Sequence, residues 1–419
     1  MRVFKFGGAS IKDAPSLRNM QQIIKQFGQG QPLAVVVSAM GKTTNALEAI
    51  LQAFWEGDEH ESLIQKLLEF HQNIAGELFW DKAHAVFADI DACFEDLKRA
   101  LVRANDTIFN ELYDQVVSVG ELVSSKIVAH ALQNEGLKVV WQDARTLIKT
   151  DNNWREGTVD WQATKKQVAD LLRPAMQDAI VLTQGFIGGT PNGKTTTLGR
   201  EGSDYSAAIL AHCLPAESQT IWKDVAGVLN GDPKRVQDAQ LFAQLSYQEA
   251  AEMTYYGASV IHPKTIAPLR ELTIPLYVKS FLQPQKSGTC INSVQAHKFV
   301  PAVMYKEKQV WIRWTHKHFA FLQETQVGEI LQQAHAAQVF VYAMNRDAFS
   351  LCICTDQRLE KLDRLIQATK ADFSVVIEEG LELLTIKGGS DEFIQRITQE
   401  RAKLWEAKQP NFYQAVVRI

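Results

Sequence analysis

The sequence predicts an α/β fold, a largely parallel sheet sandwiched by helices, followed by a ferredoxin-like α+β region. Three observations carry this. Short apolar runs rich in β-branched residues alternate with helical patterns up to about residue 290, an order that implies parallel strands joined by helices. Those runs are near-continuous rather than strictly alternating, which suits a sheet covered on both faces. After the segment Lys286–Ile291 the pattern becomes shorter and regular, in the order βαββαβ.

The candidate buried strands are Val3–Phe6, Leu33–Val37, Lys138–Trp141, Ala179–Thr183, Thr220–Trp222 and Ile274–Val278. Helical patterns lie between them, among them Asp204–Leu214 and Tyr247–Tyr256. Residues 45–112 carry no strand signal and many charges, and read as a helical insertion in a first domain, 1–295. A second region, 296–419, follows. Its expected elements are strand Val310–Trp314, helix Gly328–Ala337, strands Val339–Ala343 and Phe349–Cys354, helix Leu359–Ala368 and strand Phe373–Glu378. Strand Leu381–Lys387, a charged helix Asp391–Ala407 and a last strand Tyr413–Ile419 complete it.

Composition narrows the function. A length of 419 residues suggests two or three domains. A net charge of -4 and a pI of about 6.2 leave no basic footprint for nucleic acid. The five cysteines show no C-x-x-C spacing and read as free thiols of a reducing, cytoplasmic compartment rather than metal ligands. The N-terminal MRVFKFGGAS reads as a strand and a glycine turn, so a signal peptide is not expected. No apolar run approaches the length of a membrane span.

One stretch, G-G-T-P-N-G-K-T from Gly188 to Thr195, fits the phosphate-loop pattern G-x-x-x-x-G-K-[ST]. Such a loop works by opening a helix onto the phosphates. Here Thr195–Gly202 places three β-branched threonines and two glycines before any helix can start. Pro191-Asn192-Gly193 is a turn signal, so the segment reads as a β-hairpin arm. A better anion site lies in Gly199–Leu210, where a helix starts at Ser203 or Asp204 and Arg200 can grip a carboxylate with paired hydrogen bonds. The competing reading is a plain N-cap by Ser203. In Lys5–Ser10 (KFGGAS) a lysine stands at the C-terminal edge of an apolar strand, where open α/β sheets bind ligands. Ser38–Asn45 (SAMGKTTN) follows a second strand but has Val36 where a phosphate loop needs its first glycine. Ser118–Ser125 (SVGELVSS) reads as another helix opening, with Ser118 and Glu121 as a capping box in the competing reading. Four such turns favour one shared ligand cleft.

Read together, these segments resemble aspartate kinase (aspartokinase), within the amino-acid kinase superfamily. The similarity rests on KFGGAS, SAMGKTTN, VGELV (Val119–Val123), LTQGFIG (Leu182–Gly188), TTTLGREGSDYS (Thr195–Ser206), WKDVAGV (Trp222–Val228), GDP (Gly231–Pro233), EAAEM (Glu249–Met253) and GASVIHP (Gly257–Pro263). The region after residue 295 resembles the tandem ACT regulatory domains of that family, with its second unit incomplete. The resemblance implies ATP and L-aspartate as substrates, magnesium held mainly through the ATP phosphates, no metal site of the protein's own, and a homodimer or larger assembly built through the ACT-like region. It implies Lys5 and Asp204 as catalytic residues and Thr44, Glu121, Phe186, Arg200 and Ser203 as the aspartate pocket. It implies nucleotide contacts from Lys5, Gly7, Gly8, Ser10, Lys223, Asp224, Leu229, Lys234 and Ser259.

The chain also departs from the family pattern. Leu229 stands where a tyrosine is usual and Ser259 where a lysine often contacts ATP, with Lys264 or Lys223 available to supply the charge. Phe340 falls where an acidic residue grips the effector ammonium, so weak or absent lysine inhibition is expected. His262 reads as a structural turn residue. The competing functions are another amino-acid kinase relative, acting on glutamate, carbamate or a nucleotide, and a ligand-binding paralogue that has lost catalysis. A homoserine dehydrogenase fusion is not expected within this chain.

Overall fold

In the computed structural model, the described residues are 1–104, 107–258, 261–294, 300–318 and 320–419. They form two compact units. The first comprises Met1–Val228, Leu241–Ala251 and Ile261–Ala296; the second comprises Leu229–Gln240, Glu252–Val260 and His297–Ile419.

The first unit is built on an eight-stranded sheet. Its strands are β1 (Arg2–Phe6), β2 (Leu33–Val37), β3 (Val139–Gln142), β4 (Ile180–Gln184), β7 (Ser218–Lys223), β8 (Gln244–Ser246), β9 (Leu276–Ser280) and β10 (Thr289–Asn292). They lie in the order β3-β4-β2-β1-β7-β9-β10-β8. All neighbours are parallel except β9 and β10. β2 is wholly buried, as its LAVVV sequence requires of a strand with both faces covered. The chain leaves β1 toward β2 and β4 on one side and returns to β7 on the other, so β1 is the switch point of the sheet.

Helices α1 (Ala14–Phe27), α2 (Thr43–Glu56), α3 (Glu61–Leu78), α4 (Ala85–Val102) and α5 (Phe109–Asn134) contribute to one core with the sheet. α1 opens on Asp13, whose carboxylate accepts the Ser16 N–H at 2.8 Å. Along α4, Ile90, Cys93, Phe94, Leu97 and Leu101 recur at helical spacing and are all buried. Burial of each large apolar side chain is worth about 1.5–3 kcal/mol, and this stripe holds the polar-faced helix to the core. All five cysteines are free thiols.

Two expectations for this unit meet the structure differently. The phosphate-loop pattern is a hairpin: β5 (Ile187–Gly189) pairs antiparallel with β6 (Thr195–Thr197). Lys194, near its tip, is ion-paired with Glu111. The segment Ser118–Ser125, expected to open a helix, instead lies inside the 26-residue α5. The Ser118 hydroxyl donates to the Gln115 carbonyl at 3.0 Å, within the helix, and caps nothing. An S-x-x-E spacing occurs equally well inside a helix, so spacing alone could not separate the two.

The second unit is built on a six-stranded antiparallel sheet in the order β12-β13-β11-β14-β16-β15. These are β11 (Ala302–His316), β12 (Ala343–Arg346), β13 (Ser350–Asp356), β14 (Phe373–Lys387), β15 (Lys403–Gln409) and β16 (Phe412–Arg418). The C-terminal part of β11, β12, β13 and the first part of β14, with helices Glu324–Ala336 and Leu359–Thr369, make a complete βαββαβ half. Trp314 sits at its centre, its indole N–H donating to the Thr369 hydroxyl at 2.9 Å. In the other half, the later part of β14 pairs with β16 and β16 with β15, and Ala302–Lys306 of β11 supplies a fourth strand. One helix, Asp391–Thr398, covers this half.

The expected helix Asp391–Ala407 therefore ends at Thr398, and Lys403–Gln409 is an edge strand. A solvent-facing edge strand is rich in charge for its own protection, and that composition mimics a charged helix. Likewise β12 lies at Ala343–Arg346 rather than Val339–Ala343. The segment Leu229–Gln240 joins this unit through Arg235. Its guanidinium binds the buried Glu382 carboxylate with two hydrogen bonds, one of 2.7 Å, and lies 3.6 Å over the Tyr305 ring. Arg401 donates to the same carboxylate at 2.8 Å.

Candidate active site

Sheet register creates the site. Phe6 at the end of β1 aligns with Val37 of β2 and Trp222 of β7, and Val37 aligns with Gln184 of β4. Because these strands are parallel, Lys5, Ser38, Gly185 and Lys223 share the C-terminal edge of the sheet at its switch point. The helix Gly202–Cys213 begins beside them, with Asp204 in its first turn.

There the Lys5 ammonium contacts Asp204 Oδ1 at 2.6 Å, and Lys223 Nζ approaches Asp204 Oδ2 at 3.3 Å. Lys5 and Asp204 are only 7% and 3% exposed. Burial pushes the Asp204 carboxyl up, but the Lys5 and Lys223 charges and their hydrogen bonds outweigh it, so it lies below its ordinary value. Two cations around one carboxylate leave a surplus positive charge in a low-dielectric setting, the condition for holding an anion.

Close backbone approach allows this packing. A Cβ on Gly7 would sit 3.4 Å from Lys5 Nζ, and one on Gly8 would collide with the Ala39 carbonyl at 2.6 Å. Glycine there lets the turn after β1 lie against the turn after β2. The Ser10 hydroxyl donates to the Trp222 carbonyl at 3.2 Å and ties the first turn to β7. Gly185 is equally constrained, since a Cβ would meet that of Ser203 at 2.5 Å. Phe186 follows with φ 70 and donates its N–H to the Ser206 hydroxyl at 2.9 Å. The Phe186 and Ser203 turns are therefore locked together.

Glu121 approaches from α5. Its Oε1 accepts the Ala39 N–H at 3.4 Å, and its Oε2 is buried with no hydrogen-bond partner. Burial pushes its carboxyl up to about 8, a rise that the Ala39 N–H and the Lys5 charge only partly oppose. An unpartnered oxygen on a group 3% exposed is costly unless a hydrogen-bond donor meets it, and an ammonium is one such donor. Thr44 is half-buried at the start of α2 and Arg200 is exposed just before the helix Gly202–Cys213. Asp224 is exposed after β7. Leu229 and Lys234 fall in the second unit. Ser259 lies outside the described residues.

Sequence reasoning missed Asp114, one more buried carboxylate on α5. It accepts the Arg155 N–H at 2.9 Å and the Thr197 hydroxyl at 2.7 Å, and so fixes the strand that leads to Arg200. Burial pushes its carboxyl up. An acid every seventh residue on a helix, Asp114 and Glu121, was the available signal. His262 caps the helix Pro263–Glu271, accepting the Lys264 N–H at 3.2 Å, a structural role.

A switch-point cluster of this kind defines an α/β protein built to hold phosphate or carboxylate. The sequence profile of the amino acid kinase family matches residues 1–280, and the chain belongs to that family. It is 32% identical over 289 residues to lysine-sensitive aspartokinase 3 of Escherichia coli, covering 69% of this chain and 63% of that one. It is 33% identical over 289 residues to an aspartokinase of Chlamydia trachomatis, covering 69% and 64%. With a bifunctional aspartokinase/homoserine dehydrogenase of Buchnera aphidicola it shares 33% over 303 residues, covering 70% of this chain but 36% of that one. The match thus spans between about a third and just under two thirds of these curated relatives. Among solved structures, E. coli aspartokinase III in complex with aspartate and ADP (R-state) superposes with a TM-score of 0.86 at 26% identity, covering 100% of this chain and 96% of that one. Clostridium acetobutylicum aspartate kinase shares the fold, with a TM-score of 0.77 at 21% identity and the same coverage.

Proposed function

We propose that the protein is an aspartate kinase: it transfers the γ-phosphoryl group of ATP to the side-chain carboxylate of L-aspartate, giving ADP and 4-phospho-L-aspartate. This is the first step toward lysine, threonine and methionine, and the proposed compartment is the cytoplasm. The observation that carries the reading is the Lys5–Asp204–Lys223 cluster at the switch point, with the unpartnered Glu121 oxygen opening nearby. The likeness to an aspartokinase solved with aspartate and ADP supports it.

The chemistry asks mainly for charge neutralisation and in-line positioning. The attacking carboxylate is already ionised at neutral pH, so no general base is needed. Its oxygen forms the new bond to the γ-phosphorus, and the bond from phosphorus to the β,γ-bridging oxygen breaks, leaving ADP. In this reading Lys5 stabilises the equatorial oxygens in transit. Asp204 holds Lys5 and Lys223 in place. The Gly7 and Gly8 N–H groups line the phosphate path, and Ser10, whose hydroxyl and N–H donate to the Trp222 and Gly7 carbonyls, holds the turn that carries them. Arg200 grips the α-carboxylate of aspartate, Glu121 takes its ammonium, and Thr44, Phe186 and Ser203 shape the pocket. Lys223 and Asp224, at and just beyond the end of β7, face the nucleotide.

Among the described residues no group of three His, Cys, Asp or Glu side chains can hold a metal. Asp204 is the one buried acid of the cluster, and it is already bracketed by two lysines. That donor set fits a magnesium ion carried in by ATP and held mainly by phosphate oxygens. Such an ion supplies additional neutralisation of the triphosphate.

An aspartyl-hydroxamate assay with ATP and magnesium tests the function. Aspartate-dependent turnover is expected, unaffected or only weakly affected by lysine because Phe340 replaces the acidic effector contact. Turnover with glutamate or carbamate but not aspartate sinks the reading, as does binding without turnover.

We further propose that the first unit is catalytic and that the second, ACT-like unit regulates and dimerises. Supporting this, the Phe373–Glu378 part of β14 pairs only with β11 among the described strands. It exposes Val376 at 62%. Such an edge invites pairing with another copy. Among the described residues no helix is long and apolar enough to cross a membrane. Light scattering should give a dimer or larger species; a monomer at micromolar concentration contradicts the assembly.

A further inference from the structure

The helical insertion contains a fully buried histidine that the reaction above does not use. His71, on α3, has 0% exposure, and the rings of Phe70 and Phe94 lie 5.0 and 5.7 Å from it. Its Nδ1 lies 2.8 Å from the Leu67 carbonyl and its Nε2 lies 3.3 Å from the Thr43 hydroxyl. A carbonyl only accepts, so Nδ1 carries the proton. Burial pushes the imidazole down to about 4, so the ring is neutral at physiological pH. Nε2 is therefore an acceptor, and the Thr43 hydroxyl must donate to it.

Thr43 is the first residue of α2, next to Thr44, and its N–H donates to the Met40 carbonyl at 3.0 Å. With its hydroxyl turned to His71, its methyl faces α5: a Cβ on Gly120 would lie 3.0 Å from Thr43 Cγ2. Gly120 immediately precedes Glu121, and Ala39 of the same turn donates to Glu121. The two faces of Thr43 are thus assigned, one to the insertion and one to the helix that carries the unpartnered carboxyl.

We propose that His71 is a positioning residue for the amino-acid subsite: by accepting the Thr43 hydroxyl proton it fixes the turn that carries Thr44 against Glu121. The inference rests on the aspartate-kinase reading and adds to it a role for the insertion. The insertion sets the affinity for the amino acid without touching it.

Three variants test it. His71→Asn can still donate to the Leu67 carbonyl but loses the acceptor for Thr43. His71→Gln places its amide oxygen near the position of Nε2 and keeps that acceptor. Thr43→Val keeps the shape and removes the donor. His71→Asn and Thr43→Val should each raise KM for aspartate about threefold to tenfold, the factor one buried hydrogen bond commands. Their kcat and KM for ATP should stay within about twofold of wild type, and the double variant should cost no more than either single one. His71→Gln should restore KM to within about twofold. If His71→Asn does not fold, the isosteric Thr43→Val carries the test alone. An active wild type whose aspartate KM is unmoved by Thr43→Val overturns this inference alone, as do equal effects of the asparagine and glutamine variants. A wild type with no aspartate-dependent turnover overturns the function reading and this inference with it.

Discussion

Lys5→Met should lower kcat about 10²- to 10³-fold, the usual cost of removing one preorganised contact to developing charge. The thioether matches the length of the lysine stem, so the packing of β1 is preserved and the ammonium alone is lost. KM for aspartate should change less than about threefold, because the proposed aspartate contacts lie on Arg200 and Glu121. The fold should persist, since Asp204 keeps Lys223 at 3.3 Å as a counter-charge. Asp204→Asn should also lower turnover, but with a larger loss of stability, because it leaves Lys5 buried without its carboxylate. Steady-state kinetics beside a thermal melt separate the two. A Lys5→Met enzyme turning over within about fivefold of wild type removes Lys5 from the chemistry.

Glu121→Gln should raise KM for aspartate about 30-fold or more at pH 8, the scale of truncating one partner of a buried charge pair. It should also abolish a pH dependence. In the free protein burial holds the Glu121 carboxyl up at about 8. An ammonium binds the carboxylate, not the acid, so wild-type KM for aspartate should fall as pH rises from 6 toward about 8 and then level off. The glutamine variant should show no such change. Stability runs the other way. The unfolded chain releases this proton near the ordinary 4.5, whereas the folded chain holds it to about 8. Between those values the folded state binds more protons, so this group's contribution falls as pH rises and becomes constant above about 8. The glutamine variant should accordingly gain on wild type in melting temperature between pH 5 and pH 8. A wild-type aspartate KM that is flat across this range contradicts the assignment.

Much of the first unit was legible because its signals are local. Val3–Phe6 and Leu33–Val37 are runs whose composition permits little else, and the observed strands match them to within a residue. The hairpin was readable because Pro191-Asn192-Gly193 turns the chain before a helix can begin. Lys5 stood out as a charge at the end of an apolar strand, whereas Asp204 was singled out only by the family resemblance. What escaped depends on distance. Nothing near Glu121 tells whether Ser118 starts a helix or sits ten residues into one, since the answer lies in Phe109–Gln115 and its packing. His71 and Asp114 acquire meaning only from partners 28 and 83 residues away, Thr43 and Thr197. The grouping of Leu229–Gln240 with the second unit follows from Arg235 meeting Glu382, a pairing across 147 residues that no change of composition marks.

The second sheet joins its two halves through its longest strands. β11 and β14 are each 15 residues long, and each serves both halves, with register irregularities between Lys306 and Trp311 where one half gives way to the other. The halves are consequently not beads on a string. They share two continuous strands, each bent at the junction, by Lys308 (φ 55) in β11 and Gly380 (φ 71) in β14, so a change of twist in one half reaches the other only through that bend.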